Sequence, residues 1–194
     1  MAPPRKHETD VILDAARDLV LRGGPRAAGV AAIAEASGAP VGTLYHRFGN
    51  RDGILSATWL RALDRFQARA VAAGADTSLE SAVAMAVSAI DFAREFGDDA
   101  RLLLTIRPAD LIDADTGGEL AEAIRTRNAP LSERIREFAI ELYGADDPRS
   151  VDAVTRAVVD LPYSAVRRHS GRVPPWLAGD LATAVRALLS GYQP

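Results

Sequence analysis

Three features of the sequence predict an all-α fold. Apolar residues recur at steps of three and four along most of the chain, the periodic stretches are bounded by explicit start and stop residues, and no convincing strand pattern is left between them. Helices are expected at about 8–22, 30–37, 41–48, 51–73, 78–96, 98–105, 118–143, 149–170 and 175–190. Gly23-Gly24-Pro25 stops the first, and Gly49-Asn50 precedes the fourth. Gly74 followed by Asp76-Thr77-Ser78 separates the fourth from the fifth, and Gly97-Asp98 opens the sixth. Asp115 to Gly118, Gly144 to Pro148 and Gly171 to Pro175 mark the remaining breaks. Pro130 interrupts the seventh helix by removing a backbone bond, and Pro162 is expected to bend the eighth.

Composition narrows the function classes. The chain has 194 residues, enough to bury a real core, with 48% hydrophobic and 25% charged residues, as in an ordinary globular domain. It has no cysteine, which excludes disulfides, zinc-thiolate sites and cysteine nucleophiles. No apolar leader and no membrane-length apolar run occurs, so a cytoplasmic protein without membrane contact is expected. The net charge of −3 is unevenly spread: residues 1 to 53 carry seven basic and six acidic side chains, and the remainder carries 16 basic and 20 acidic.

Residues 33 to 52 carry the most information. Ile33 and Ala34 end an apolar stripe, and Gly38 stands where a turn between two helices needs a residue tolerant of positive φ. In the short helix that follows, Val41, Leu44, Tyr45 and Phe48 share one face by their spacing, leaving Gly42, Thr43, His46 and Arg47 on the other. A helix two turns long is not stable alone, so its outward polar face is expected to have a use. Asn50 is a good N-cap, which places Arg51 in a first helical turn, where the dipole disfavours a cation by about 0.3–1 kcal/mol. A bound phosphate would reverse that sign.

The run Gly38, Gly42-Thr43-Leu44-Tyr45, His46-Arg47, Phe48 and Arg51 resembles the DNA-binding region of the TetR (tetracycline repressor) family of bacterial transcription regulators. The likeness covers about the first quarter of the chain and includes Val11 to Val20 as a first helix. It implies a helix-turn-helix head over residues 1–53 and a ligand-binding and dimerisation body over 54–194. In the head, Pro40 opens the recognition helix, and Val41, Gly42 and Thr43 face the bases of a double-stranded, pseudo-palindromic operator. Tyr45, His46 and Arg51 serve the phosphates, and Arg47 belongs to the same DNA-binding set. The sequence departs from the family pattern at Thr9 and at Gly29-Val30-Ala31-Ala32, where basic or capping residues are common. These departures motivate the alternative of a helical small-molecule-binding protein with a degenerate DNA-binding head.

In the body, Trp59, Phe66, Phe92 and Phe96 with Arg101, Leu104 and Arg107 suggest an apolar pocket with polar anchors for an unidentified small-molecule effector. Val151, Val154, Val158 and Leu161, then Leu177, Leu181, Ala184 and Leu188, run at steps of three and four and resemble bundle seams. The family resemblance implies that they form a homodimer interface. Neither a metal site nor an organic cofactor is expected. His7, His46 and His169 are scattered, and the calcium-like run from Asp113 has Ile124 where the closing carboxylate belongs. No nucleophile-elbow pattern occurs, so the expected function is transcriptional regulation without enzyme activity. The expected mechanism is repression relieved when a ligand favours the state with the wrong head spacing, since paired recognition helices must lie roughly 34–36 Å apart.

Overall fold

A computed structural model describes residues 5–111, 117–169 and 172–192, with side chains from Thr9 onward. The Met1–Pro4 tail, the acidic stretch Asp113–Thr116 and part of the Gly171 to Pro175 break lie outside the described residues. Among the described residues the fold is all-α. Its elements are α1 (Arg5–Gly23), a 3-10 turn (Pro25–Ala27), α2 (Val30–Ser37), α3 (Val41–Phe48), α4 (Arg51–Ala72), α5 (Ser78–Glu95) and α6 (Gly97–Thr105). They continue as α7 (Pro108–Leu111), α8 (Gly117–Tyr143), α9 (Pro148–Thr155), a π turn (Arg156–Asp160), α10 (Leu161–Arg168) and α11 (Leu177–Gly191).

The chain divides into two compact units, Met1–Leu63 with Asp98–Ile124, and Asp64–Gly97 with Arg125–Pro194. This differs from the expected partition at residue 53. The first unit gathers α1 to α3, the start of α4, α6 and α7 around one core, in which Ile12, Val20, Ile33, Leu44, Ile54, Leu102 and Leu111 are almost fully buried. Leu102 and Leu111 belong to that core because the head helices are too short to enclose their own apolar faces. Trp59 closes it, its indole Nε1 donating to the Ile106 carbonyl at 3.2 Å.

In the second unit α5 packs against α10 and α11. Thr77 caps α5, its hydroxyl accepting from the Glu80 N–H at 3.3 Å, and Asp147 caps α9 by accepting from the Arg149 and Ser150 N–H groups. Helix α8 runs on through Pro130, against the expected interruption. The single helix expected over 149–170 is instead two helices joined by a π turn. Pro162 has no N–H to donate, and its ring would press on the Val158 carbonyl in a regular helix. The wider turn, in which the Leu161 N–H reaches back five residues to the Arg156 carbonyl, accommodates it.

The expected dimer seam is largely interior. Val154, Val158, Leu177 and Leu181 are buried within this one chain, and Val151, Leu161 and Ala184 are half-buried. Of these eight residues, Leu188 is the exposed one, at 52%. The 3-4 stripe is broader than the sequence reading allowed, because α5 takes up its inner edge. Leu181→Ala is therefore expected to cost about 2–5 kcal/mol of folding stability, read from urea denaturation. A cost below 1 kcal/mol would place Leu181 outside the core.

Candidate nucleic-acid interface

The turn between α2 and α3 is set by Gly38, whose backbone is left-handed at φ 69°. Ser37 stiffens it, its hydroxyl accepting from the Ala39 N–H at 3.3 Å. Pro40 then occupies the N-cap position of α3 in an extended conformation, and its carbonyl accepts from the N–H groups of Thr43 and Leu44. Proline offers no capping side chain, so no side-chain hydrogen bond closes the N-terminus of this helix. Leu44, fully buried, pins α3 to the core, and Phe48 is half-buried behind it.

The outward face differs from the sequence reading. Val41 and Tyr45 were assigned to the inner face with Leu44 and Phe48, yet they are 43% and 52% exposed. Two turns bury only a narrow stripe, and Leu44 with Phe48 fills it. Val41, Gly42, Tyr45 and His46 thus form one exposed surface beside exposed Pro40, and Thr43 is half-buried at its edge. A Cβ added at Gly42 would meet nothing within 4 Å, so no internal packing demands glycine there. Gly53 is the opposite case and was not singled out from the sequence. A Cβ there would sit 1.9 Å from the Phe48 carbonyl oxygen, which makes glycine the condition for bringing α3 and α4 together.

Asn50 caps α4 as expected, its Oδ1 accepting from the Gly53 N–H at 2.8 Å. Arg51 follows it but turns inward. Its Nε donates to the Ala28 carbonyl at 3.2 Å, one Nη to the Pro25 carbonyl at 2.5 Å, and the other to the Leu111 carbonyl at 3.3 Å and to Asp52 at 3.0 Å. The guanidinium that was expected to meet phosphate is committed to the protein's own carbonyls. Arg47 likewise turns back, donating to the Thr9 hydroxyl at 3.0 Å.

Behind this surface, acids and arginines alternate. Arg61 pairs with Asp10 at 3.1 Å and Asp14 at 2.6 Å, and Arg17 with Asp14 at 3.1 Å, Asp18 at 3.1 Å and Asp99 at 2.8 Å. Burial alone would lower the Arg17 pKa. The hydrogen bond that Arg17 donates to Asp99 and the charges of Asp99 and Asp14 outweigh it and hold the pKa above its ordinary value. Exposed Arg22 and Arg26 carry the remaining basic charge described in the head.

The effector candidates separate. Trp59, Arg101, Leu104 and Arg107 belong to the first unit, with Trp59 in its core and Arg101 and Arg107 at its surface. Phe66, Phe92 and Phe96 come together in the second, with successive ring centroids 5.5 Å apart. Arg65 and Arg69, absent from the sequence assignment, lie over Phe96 at 5.6 and 5.8 Å. They border a groove of about 810 Å³ that small residues of α4 and α5 also line. Spacing alone gives little sign of such side-chain approaches. A second groove of about 670 Å³ runs along α9, α10 and α11 and includes Leu161 and Leu188.

Comparison with known proteins agrees with the head's geometry. Residues 12–58 match the family model described as bacterial regulatory proteins, tetR family. The chain is 30% identical over 137 residues to the HTH-type transcriptional repressor ComR of Escherichia coli K12, covering 70% of this chain but 65% of that protein. It is 27% identical over 189 residues to the HTH-type transcriptional regulator AlkX of Mycobacterium tuberculosis H37Rv, covering 94% and 83% of the two chains. The fold is shared with FadR of Bacillus subtilis in complex with stearoyl-CoA, at a TM-score of 0.70, 18% identity, and 95% and 99% coverage. With the Gly38 to Arg51 motif inside the matched segment, residues 12–58 form a DNA-binding head of the tetR family of bacterial regulatory proteins.

Proposed function

We propose that this protein is a homodimeric DNA-binding transcriptional repressor, released from a pseudo-palindromic operator when a small molecule occupies its second unit. One observation carries the DNA half: the exposed face of α3 presents Val41, Gly42, Tyr45 and His46, while Leu44, backed by Phe48, fixes that helix to the core. A two-turn helix with an uncapped N-terminus and a free glycine suits close approach to a major groove. Tyr45 and His46 hold phosphate oxygens, Val41 meets base edges, and Gly42 admits the backbone. Thr43 contributes from the edge, and Pro40 frames the helix start. Arg47 and Arg51 act by holding the head in shape.

The effector half rests on Phe66, Phe92 and Phe96, an apolar cluster with cationic neighbours. An apolar or weakly anionic molecule fits that chemistry, and the FadR neighbour was solved with stearoyl-CoA, an apolar chain on an anionic head. The dimer half rests on exposed Leu188 and the groove it shares with Leu161. The protein is not an enzyme in this reading and works in the cytoplasm.

Binding to DNA from upstream of its own gene, followed by fluorescence anisotropy, tests the reading. Tyr45→Phe removes one phosphate hydrogen bond and should weaken affinity about fivefold for all sequences. Val41→Ala should instead change preference among operator variants. Absence of salt-dependent binding by the wild type would favour a small-molecule-binding protein with an inert head.

Arg51→Ala removes the side-chain donor from the Ala28, Leu111 and Pro25 carbonyls, of which Pro25 keeps the Ala28 N–H, and should cost about 2–3 kcal/mol of stability, seen as a lowered thermal midpoint. Unchanged stability together with a salt slope reduced by about 1 would restore a phosphate role to Arg51. Leu188→Asp should leave chain stability within about 0.5 kcal/mol while converting the sedimenting dimer to monomer. A dimer unaffected by that charge would place the interface on another face.

A further inference from the structure

We infer that Gln67 is the polar anchor of the effector site, and that the effector it selects is an apolar molecule carrying a hydroxyl group. This rests on the reading of the second unit as the effector-binding part. Gln67 lies on α4, one residue beyond Phe66, and is 8% exposed. Its Nε2 donates to Asn128 Oδ1 on α8 at 2.7 Å. Its Oε1 is buried and has no hydrogen-bond partner among the described residues.

A buried amide atom left unpaired costs about 1–3 kcal/mol, and a folded chain tolerates few of them. In this unit the Tyr192 hydroxyl, far along the chain after α11, is likewise without a partner among the described residues, whereas the buried serines are closed. Ser81 exchanges hydrogen bonds with Ala75, Ser88 donates to the Met85 carbonyl, and Ser150 donates to Asp147. Turning both carboxamides over does not help: Asn128 would then donate to Gln67, and the Gln67 nitrogen would become the unpaired atom. In either orientation one polar atom of Gln67 awaits a partner.

A hydroxyl is the group that satisfies both cases, since it donates to an amide oxygen and accepts from an amide nitrogen. A ligand bringing it gains a hydrogen bond without breaking one inside the protein. The aromatic rings of Phe66 and Phe92, edge to face 5.5 Å apart, supply apolar surface on the neighbouring side of α4. An incoming molecule with an apolar body and no hydroxyl would bury Gln67 further and leave it unpaired, which is how a site built on one polar atom discriminates.

Two matched pairs of probes test this: 2-naphthol with naphthalene, and 4-phenylbutan-1-ol with butylbenzene. Binding to the full chain is followed by titration calorimetry and by the side-chain amide resonances of Gln67 and Asn128. Each hydroxyl compound should bind at least about fivefold more tightly than its partner and shift the Gln67 amide signals. Gln67→Leu should bind both members of each pair alike and be no less stable than the wild type, because it removes an unpaired group. Should that variant fail to fold, Gln67→Met is used, and the amide shifts in the wild type decide independently. Equal binding within each pair, unmoved Gln67 signals, binding by none of the four probes, or a preference that survives in Gln67→Leu would overturn the assignment. Release of operator DNA by the hydrocarbons as well as the alcohols would sink the hydroxyl anchor and leave the effector reading standing. Binding of the alcohols through Gln67 without any effect on DNA would do the reverse.

Discussion

The head depends on where one guanidinium goes. Arg51 reaches the carbonyls of Pro25, Ala28 and Leu111 from the first turn of α4, joining the 3-10 turn, the approach to α2 and the end of α7 to the helix that carries it. The Ala28 and Leu111 carbonyls lie where short elements end, and the Pro25 carbonyl, which also accepts from the Ala28 N–H, lies at the start of the 3-10 turn. A planar cation with five donors serves several such groups at once, which an ammonium could not do in the same geometry. The dipole of α4 disfavours a cation in its first turn, and the acceptors on Arg51, together with Asp52, offset that. Because α4 is held there, Gly53 can meet the Phe48 carbonyl and α3 has a fixed end.

The same accounting explains the weak electrostatic character of the head. Arg17, Arg47, Arg51 and Arg61 all spend their donors on protein groups, two of them on a chain of aspartates that reaches the buried Asp99. Few basic charges are left to displace counterions from DNA, so a complex must draw more on neutral hydrogen bonds and groove fit than on phosphate neutralisation. The departures from the family pattern at Thr9 and Gly29 point the same way. Thr9, standing where a basic residue is common, accepts from Arg47 and thereby draws a further cation inward.

What the sequence disclosed was local. Gly38 demanded a left-handed turn, Asn50 a cap, and Leu44 a place in the core, and each is found so. Helix limits marked by glycine and proline agree with the structure to within a few residues, since the physics of a helix end is contained in a few neighbouring residues. What was hidden depended on residues far apart in the chain. Nothing near Arg51 announces the Leu111 carbonyl sixty residues on, and nothing in a 3-4 stripe says whether its partner is a neighbouring helix or a second chain. Tyr45 was misplaced for a related reason: periodicity gives the direction of a face but not its width.

Leu102 and Leu111 complete the head core from outside the helix-turn-helix segment. Helix α3 is too short to hold its shape alone, so the order of its exposed face is borrowed from Leu44 and the core around it. That core is completed by α6 and α7, through Leu102, Leu111, the Trp59 bond to Ile106 and the Arg17 pair with Asp99. Helix α6 follows α5 with only Phe96 between them, and Phe96 is part of the aromatic cluster of the second unit. Under the proposed effector reading, a molecule that repacks Phe92 and Phe96 would touch the residues that precede α6 in the chain. Were such a molecule to distinguish two head arrangements, linkage would require DNA to change its affinity by the same factor. What ties the aromatic cluster to the head core is sequence order: Phe96 directly precedes the helix that carries Leu102.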